Sequence, residues 1–416
     1  MSEAARDDAF YDALETRSAD ERQAAWTQAL RAQVGRAKVG GAYWAETLKD
    51  VDAGALTLDG LKTLPVTRKS DLMARQAQHP PFGGLAATAT ADLARLFVSP
   101  GPIADPEGFG RDWWRFARAF HAAGFRKGDV ALNSFSYHLT PAGHMFESAA
   151  HALGVPVIPG GVGNTEAQVQ AAGFYRATAY CGTPDFVKIL LDKADEIGAP
   201  LFFEKAMVGG GPLFPSMRDE YEARGIATLQ SYGTADLGLV AYESPAKEGM
   251  IADEHALIEI VRPGTGDPVP EGEVGEVLVT LLANPDYPLI RFATGDLSAI
   301  LPGESPCGRT APRIKGWMGR ADQTTKVRGM FVRPEQVAAF AARHPEVLKA
   351  RLVVESDARK LDVLTLKVEA EADLDPAALA ETAQAVFKLK AAIDPAAPGA
   401  LPNDGKVIED ARDFES

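Results

Sequence analysis

The chain has 416 residues, of which 46% are hydrophobic and 24% are charged, and its formal net charge is -14. This length exceeds the roughly 250 to 300 residues at which a single core stops growing, so it predicts two or three domains. The acidic balance disfavours nucleic acid as a partner, and no apolar run approaches the roughly 20 residues of a membrane span. Only two cysteines occur, which excludes a disulfide framework, and the acidic, polar start lacks a secretory layout; both features predict a cytoplasmic protein.

The first half of the chain has the pattern of a layered α/β domain. Helical spacing dominates residues 1 to about 50, and Ser70 or Asp71 in LPVTRKSDL is predicted to cap a helix. From about 90 to 210, strand-like runs such as GDVALNSF, VPVIPGG, ATAYCGT and KAMVGGG alternate with helical segments such as DFVKILLDKADEIG. Strands that alternate with helices predict right-handed crossovers and a mostly parallel sheet.

The second half of the chain has a different sequence pattern. After Ile226 the apolar runs are shorter and the turns more frequent, which predicts a β-rich subdomain at about residues 226–316. The last hundred residues combine the helix PEQVAAFAARH, two strands within ARLVVESDARKLDVLTLKVEAE and the helix DPAALAETAQAVFKLKAAI. We therefore expect a large N-terminal domain over residues 1–320 and a small C-terminal α+β domain over residues 321–416.

Several common catalytic signatures are absent from the sequence. It has no HExxH, no paired CxxC, no Walker A lysine loop and no GxSxG elbow. These absences disfavour metalloproteases, zinc ribbons, P-loop NTPases and serine hydrolases.

Three loops at predicted strand ends are the candidates for a site. GGGP would let a planar ring or a phosphate approach the backbone, although a plain turn is the favoured explanation when the motif is taken alone; its glycines are Gly209, Gly210 and Gly211. SYGTADLG combines an aromatic ring, a hydroxyl and a carboxylate suited to Mg²⁺, with a solvent-facing turn as the alternative; its candidate residues are Ser231, Tyr232, Gly233, Thr234 and Asp236. In RFATGDL, Asp296 can accept two hydrogen bonds from ribose hydroxyls.

Taken together, these loops resemble those of the adenylate-forming superfamily, and most closely its phenylacetate-CoA ligase branch. NSFSYHLTPAG, VIPGGVGNTEAQV, MGRADQTTKVRG and LPNDGKV extend the resemblance over residues 11–412. The resemblance implies an ATP-dependent, AMP-forming acyl-CoA ligase, in which a carboxylate and ATP form acyl-AMP and the thiol of CoA then displaces AMP. It also implies Mg²⁺, an aryl or arylacetic acid as substrate, and a possible homodimer.

The resemblance assigns roles to individual residues. Lys406 is the catalytic ammonium, assisted by Thr234 and by Asp236 as the Mg²⁺ ligand, and Asp322 is the hinge of a mobile C-terminal domain. The nucleotide is expected to contact Gly209, Gly210, Gly211, Ser231, Tyr232, Gly233, Thr234, Asp296 and Arg320. Arg328 and Gly329 would line the CoA tunnel, and the acyl pocket would consist of Phe135, Tyr137 and His138.

The sequence departs from the branch in three places, one of which is His138, where the branch usually has a small residue. The phosphate loop FVSPGPIADPEG has three prolines and the acidic residues Asp105 and Glu107, which puts ATP use in question although Ser99 and Gly101 can still donate to an anion. Tyr242 and Ser305 stand where the branch often has zinc ligands, so we expect no structural zinc.

Two other functions remain open at this point. The protein could pass the acyl group or AMP to an acceptor other than CoA, or it could be a catalytically lapsed homologue that binds a nucleotide or acyl-CoA. The hinge and lysine motifs favour the ligase, because a lapsed enzyme has no need of a hinge.

Overall fold

The computed structural model describes residues 9–99, 102–321, 323, 325–327, 330–356, 362–371 and 374–412. Its α-helices are α1 (Ala19–Gly40), α2 (Ala42–Thr47), α3 (Leu58–Leu61), α4 (Leu72–Gln78), α5 (Ala117–Ala122), α6 (Ala142–Ala152), α7 (Thr165–Phe174), α8 (Pro184–Ile197), α9 (Pro215–Ala223), α10 (Pro334–Ala341) and α11 (Pro376–Phe387). Within these ranges, every helix is too short or too polar to cross a lipid bilayer.

The strands up to residue 252 are β1 (Thr67–Arg68), β2 (Arg95–Ser99), β3 (Ile103–Glu107), β4 (Ala131–Asn133), β5 (Val157–Pro159), β6 (Ala179–Gly182), β7 (Lys205–Val208), β8 (Ala227–Thr234), β9 (Gly238–Glu243) and β10 (Met250–Ala252). The later strands are β11 (Ala256–Val261), β12 (Gly275–Leu281), β13 (Phe292–Ser298), β14 (Ile300–Leu301), β15 (Arg313–Ile314), β16 (Thr325–Val327), β17 (Met330–Val332), β18 (Val347–Ser356), β19 (Asp362–Ala370), β20 (Ala392–Ala396) and β21 (Ile408–Asp410).

The largest sheet has nine strands in the order β14-β15-β10-β9-β8-β7-β6-β4-β5. Strands β5, β4, β6, β7 and β8 pair in parallel, and α6 to α9 connect them in sequence. Strand β9 is antiparallel to both β8 and β10. The mixed α/β fold that the alternating pattern predicts is confirmed.

The parallel strands are buried on both faces. Along β4, Ala131 belongs to one apolar core and Leu132 to another, and Cys181 and Tyr180 of β6 divide in the same way. The first core includes residues of α5 and α6, and the second includes residues of α7, α8 and α9. Burial on both faces explains why these strands are continuous apolar runs rather than alternating ones.

The strands predicted after Ile226 divide between two sheets. Strands β8, β9, β10, β14 and β15 extend the large sheet, whereas β1, β13, β12 and β11 form a four-stranded sheet in that order. In the smaller sheet β1 pairs in parallel with β13. The local pattern predicts strands here but not the sheet that each one joins, and the subdomain at residues 226–316 stays a prediction.

Within the described residues the chain forms two compact units. The first contains the residues up to Ile258 together with Val279–Thr294 and Leu301–Trp317. The second contains Glu259–Leu278, Gly295–Ile300 and the residues from Met318 onward. In the second unit, a sheet of order β20-β19-β18-β21 shares one apolar core with α10 and α11. The predicted division between residues 320 and 321 stays a prediction.

Candidate active site

A cavity of about 440 Å³ lies in the first unit, where several parallel strands of the large sheet end. Its lining includes residues that directly follow β4, β6 and β7 or belong to the end of β8, namely Ser134, Phe135, Ser136, Thr183, Gly209, Gly210, Ser231, Gly233 and Thr234. Ligands of open α/β sheets bind at the carboxyl ends of parallel strands. The sheet topology therefore brings three separate sequence motifs to one cavity.

One wall of the cavity is backbone that requires glycine. A Cβ atom on Gly209 would lie 3.1 Å from the Ser231 Oγ atom, and Gly210 has a φ of +72°. A Cβ atom on Gly233 would lie only 2.6 Å from the carbonyl oxygen of Gly238. These two glycine loops thus present bare backbone to the cavity, whereas Gly211 is not among the described residues that line it.

Much of the remaining lining is aromatic and apolar. Phe135 packs against Phe146 with a ring-centroid distance of 4.3 Å. Further apolar residues of the lining are Phe116, Pro141, Ala142, Met145, Val162 and Phe186. Such a chamber suits a flat apolar group, because aromatic walls can pack against both of its faces.

The other two predicted acyl-pocket residues lie elsewhere. The Tyr137 hydroxyl donates to Glu147 Oε2 at 2.9 Å and accepts from Asn133 Nδ2 at 2.8 Å. Burial and the neighbouring Glu147 raise the pKa of Tyr137 well above its ordinary value, which keeps this phenol neutral. His138 is exposed. Neither residue is among the described residues of the cavity lining.

The polar side chains of the SYGTADLG loop are held by local hydrogen bonds. Ser231 Oγ donates to the carbonyl oxygen of Val208 at 3.4 Å, and Tyr232 Oη donates to Thr294 Oγ1 at 3.2 Å. Thr234 Oγ1 accepts from the backbone N–H of Leu237 at 3.2 Å and keeps its own proton for a ligand. Of these side chains, Thr234 is thus the best placed to donate into the cavity.

Asp236 is buried and ion-paired rather than open to solvent. Its side chain is 1% exposed, and Lys69 Nζ donates to its Oδ2 atom at 2.5 Å. Its Oδ1 atom has no hydrogen-bond partner among the described residues. The negative charge of Asp236 also acts on the carboxyl group of Asp105, which is a fully buried residue of β3. Burial first, and then Asp236, raise the pKa of Asp105 above its ordinary value.

Most of the predicted phosphate loop is strand rather than loop, because its first three residues end β2 and Ile103–Glu107 form β3, which pairs antiparallel with β2. Asp105 and Glu107 are buried side chains of β3 rather than members of the turn, and Arg95 Nη1 donates to Glu107 Oε1 at 2.8 Å. Ser99 lines the cavity, and its hydroxyl donates to the carbonyl oxygen of Ile103 at 3.3 Å. Gly101 lies outside the described residues.

In the second unit, the predicted ribose-binding residues are paired with each other. Arg320 Nη1 donates to Asp296 Oδ1 at 2.8 Å, and the backbone N–H of Ala321 donates to the Gly295 carbonyl oxygen at 2.7 Å. Arg320 retains a 54% exposed side chain, so its guanidinium can also reach a ligand. The predicted hinge and tunnel residues Asp322, Arg328 and Gly329 lie outside the described residues.

Lys406 stands on a loop that the second unit holds firmly. The lysine itself is exposed, and the preceding Gly405 has a φ of +70°. Gln323 Nε2 donates to the carbonyl oxygen of Gly405 at 3.0 Å, while Gln323 Oε1 accepts from the N–H groups of Val407 at 2.6 Å and Ile408 at 2.8 Å. Gln323 therefore fixes the backbone on both sides of Lys406, whose side chain is exposed.

Sequence reasoning missed the parts that Lys69 and Gln323 play. Lys69 is within the segment predicted to contain a helix cap, but Asp71 makes no side-chain capping bond and α4 begins at Leu72. The partner of Lys69, Asp236, is 167 residues away in the sequence, and no local pattern reports such a contact. The sequence did contain an indication that Gln323 has a structural role, because this residue lies directly beside the predicted hinge at residue 322 in a motif rich in polar residues.

The two residues that stand where the branch often has zinc ligands have polar partners within the protein. The buried Tyr242 donates its hydroxyl proton to Glu15 Oε1 at 2.7 Å, and Ser305 Oγ lies 3.1 Å from Cys307 Sγ. Among the described residues, no group of three or more His, Cys, Asp or Glu side chains is arranged to hold a metal ion. The absence of structural zinc stays a prediction.

Sequence comparison identifies relatives along most of the chain. It is 33% identical to the phenylacetate-coenzyme A ligase of Thermus thermophilus over 327 residues, which cover 75% of this chain and 72% of the relative. It is 30% identical to that of Escherichia coli K12 over 383 residues, covering 86% and 84% of the two chains. No protein-family model matches the chain.

Structure comparison supports the same fold. The chain is similar to 2-hydroxyisobutyryl-CoA ligase in an open conformation in complex with 2-HIB-AMP and CoA, with a TM-score of 0.70 and 24% identity. This match covers 94% of this chain and 91% of the other. The thioesterification state of that ligase gives the same TM-score over 98% and 93% of the two chains, at 23% identity.

Proposed function

The chain belongs to the phenylacetate-coenzyme A ligase family of AMP-forming acid–thiol ligases, and we propose that its own substrate is an aryl or arylacetic acid. Such a ligase activates a carboxylic acid as the acyl-adenylate and then forms a thioester with CoA. The observation that supports an aryl acid is the cavity of about 440 Å³, in which bare glycine backbone directly borders the phenyl rings around Phe135. The nucleotide would contact the glycines, and the aryl group would pack between the rings.

The proposed roles of the polar residues follow their chemistry. Thr234 donates a hydrogen bond to a phosphate oxygen, and Asp296 accepts from the ribose hydroxyls. Lys406 brings its ammonium group to the carboxylate and α-phosphate oxygens during adenylation, where a positive charge offsets the developing negative charge. Arg320 assists at the ribose and phosphate, Asp322 is the proposed hinge residue, and Arg328 and Gly329 are proposed to border the CoA thiol's path.

The residues around Asp236 fit a hard divalent cation such as Mg²⁺. The Oδ1 atom of this buried carboxylate lacks a hydrogen-bond partner in the described part of the chain, and hard cations prefer carboxylate oxygens. When bound, Mg²⁺ neutralises charge on the phosphates of ATP. The part that the chain itself plays is to hold Asp236 in place through Lys69, which keeps the other carboxylate oxygen fixed.

Pyrophosphate release across a panel of acids, with and without CoA, tests this function. An aryl or arylacetic acid should give the highest kcat/KM, and the thioester should form only when CoA is present. Turnover that does not depend on CoA would support another acceptor, and bound nucleotide without turnover would support the lapsed homologue.

Lys406→Ala tests the proposed catalytic lysine separately. Loss of one charge that stabilises the transition state should slow acyl-AMP formation by roughly 100- to 1000-fold. Thioester synthesis from supplied acyl-AMP should be nearly unchanged, because that step does not need the ammonium group. Lys390→Ala is the matched control, since Lys390 is another exposed lysine of the same unit. Equal loss in both half-reactions would refute the proposed role.

We further propose that the enzyme is cytoplasmic and forms a homodimer. Light scattering of the purified full-length chain checks the dimer, and a monomer at micromolar concentration would refute it.

A further inference from the structure

Two carboxylates and one ammonium group form a buried cluster beside the candidate active site. Asp105 is 0% exposed and Asp236 is 1% exposed, and Lys69 Nζ donates to the Oδ2 atom of Asp236. Ser99 and Asp236 are close neighbours of the Asp105 carboxyl, but among the described residues neither Asp105 oxygen nor Asp236 Oδ1 has a partner in hydrogen-bonding geometry. A buried carboxylate without a partner is strongly unfavourable, so the Asp105 carboxyl is either protonated or joined by a positive ligand.

A neighbouring phenol provides independent evidence for a ligand. Tyr287 is fully buried, and Gln76 lies close to its hydroxyl, but no side chain in the described part of the chain stands in hydrogen-bonding geometry with it. The two acidic groups that act on this hydroxyl are Asp236 and Asp105. Buried hydroxyls are nearly always bonded, and a phenol oxygen beside two carboxylates can join a cation's ligands directly or through water.

The cluster also lies next to the cavity. Ser99, at the end of β2, lines the cavity and pairs with Ile103, two residues before Asp105, so the Ser99 and Asp105 side chains lie on the same face of the β2–β3 pair. Thr234 and Ala235 line the same cavity and directly precede Asp236. Asp236 thus directly follows a residue of the cavity wall, and Asp105 lies on the strand that pairs with β2, whose last residue belongs to that wall.

We infer that Asp105 is a second carboxylate ligand, beside Asp236, of the divalent cation that this cleft uses. This inference rests on the proposed function, since it concerns the same cation. Two carboxylates, with the hydroxyls of Tyr287 and Thr234 nearby, supply the oxygen donors that Mg²⁺ and Mn²⁺ prefer. Lys69 then competes with the ion for Asp236 and holds this carboxylate in position before the ion arrives. Glu107, two residues along β3, is paired with Arg95 through its Oε1 atom and is not part of the inferred site.

Electron paramagnetic resonance titration with Mn²⁺ tests the inference without ATP, acid or CoA. Asp105→Asn preserves the shape of the side chain and removes its charge, and we expect Mn²⁺ affinity to fall by at least about tenfold. Glu107→Gln removes the same charge from the same strand, and the affinity of this control should stay within twofold of the wild type. Unchanged affinity in Asp105→Asn would overturn the inference and leave Asp105 as a neutral acid of the core.

Lys69→Met provides a second test that does not depend on Asp105 variants. Removal of the competing ammonium group should tighten Mn²⁺ binding, because Asp236 is then free to bind the ion. Weaker or equal binding would contradict the proposed competition. Circular dichroism checks that each variant is folded. Because Mn²⁺ binding is measured without turnover, loss of binding in Asp105→Asn alongside an inactive wild type would refute only the proposed function.

Discussion

The bonds of Gln323 should determine how firmly the Lys406 loop is held. In Gln323→Ala, three hydrogen bonds disappear: one to the Gly405 carbonyl oxygen and two from the N–H groups of Val407 and Ile408. Each such bond contributes a net 0.5 to 1.5 kcal/mol, so the local opening free energy should fall by about 2 to 4 kcal/mol. Acyl-AMP formation should slow as well, because Lys406 lies between the released backbone groups.

Hydrogen exchange measured by mass spectrometry or NMR checks this directly. The amides of Val407 and Ile408 lose their acceptor, and a fall of about 2 kcal/mol corresponds to roughly thirtyfold faster exchange. Gln323→Glu is the matched control, since it keeps the oxygen that accepts from both amides and loses only the donor to Gly405. Wild-type protection of these two amides in Gln323→Ala would refute the reasoning.

Three other substitutions test separate parts of the molecule. Gly405→Ala should lower the free energy of unfolding by about 2 to 4 kcal/mol in denaturant titration, because residue 405 has a φ of +70° and the new Cβ would lie 2.8 Å from Val274 Cγ1. The control Gly399→Ala should lower it by only about 1 kcal/mol, since residue 399 has a φ of +79° but open space around it. Burial acts to raise the pKa of Asp129, but hydrogen bonds from Lys205, the Arg126 N–H and the Thr178 hydroxyl hold this pKa below its ordinary value of 3.8. The stability that the carboxylate contributes to the folded state is therefore present above pH 3.8, and it is lost as the pH falls through the lower pKa of the folded protein. Thermal unfolding followed down from pH 6 should show a smaller acid-dependent drop in Asp129→Asn than in the wild type, and identical drops would contradict this account. Phe135→Leu should raise KM for an aryl acid several-fold and leave KM for a short aliphatic acid nearly unchanged, since only the ring loses its flat contact; equal changes for both acids would argue against the aryl chamber.

The sequence by itself determined the class of fold and the positions of the motifs. Strand-like runs alternating with helical ones predict a mostly parallel sheet, and its parallel part is found from β4 to β8 with α6 to α9 between the strands. The glycine loops at residues 209, 210 and 233 could be recognised in the sequence as candidate sites, because glycine is the residue type that best tolerates close backbone approach and a positive φ. These features are local, and periodicity or residue type reports them directly.

Only the tertiary structure decided which side chains meet. The pattern NSFSYH offers three candidate pocket residues, yet Phe135 lines the cavity while Tyr137 bonds to Glu147 and His138 is exposed. Likewise, the sequence predicts Asp105 to be part of an acidic phosphate loop, and only the packing of β3 places it in a buried cluster with Asp236 and Lys69. Such contacts join residues far apart in the chain, so they depend on how strands pair and on which face of a strand is buried. No pattern within a short stretch of sequence contains that information.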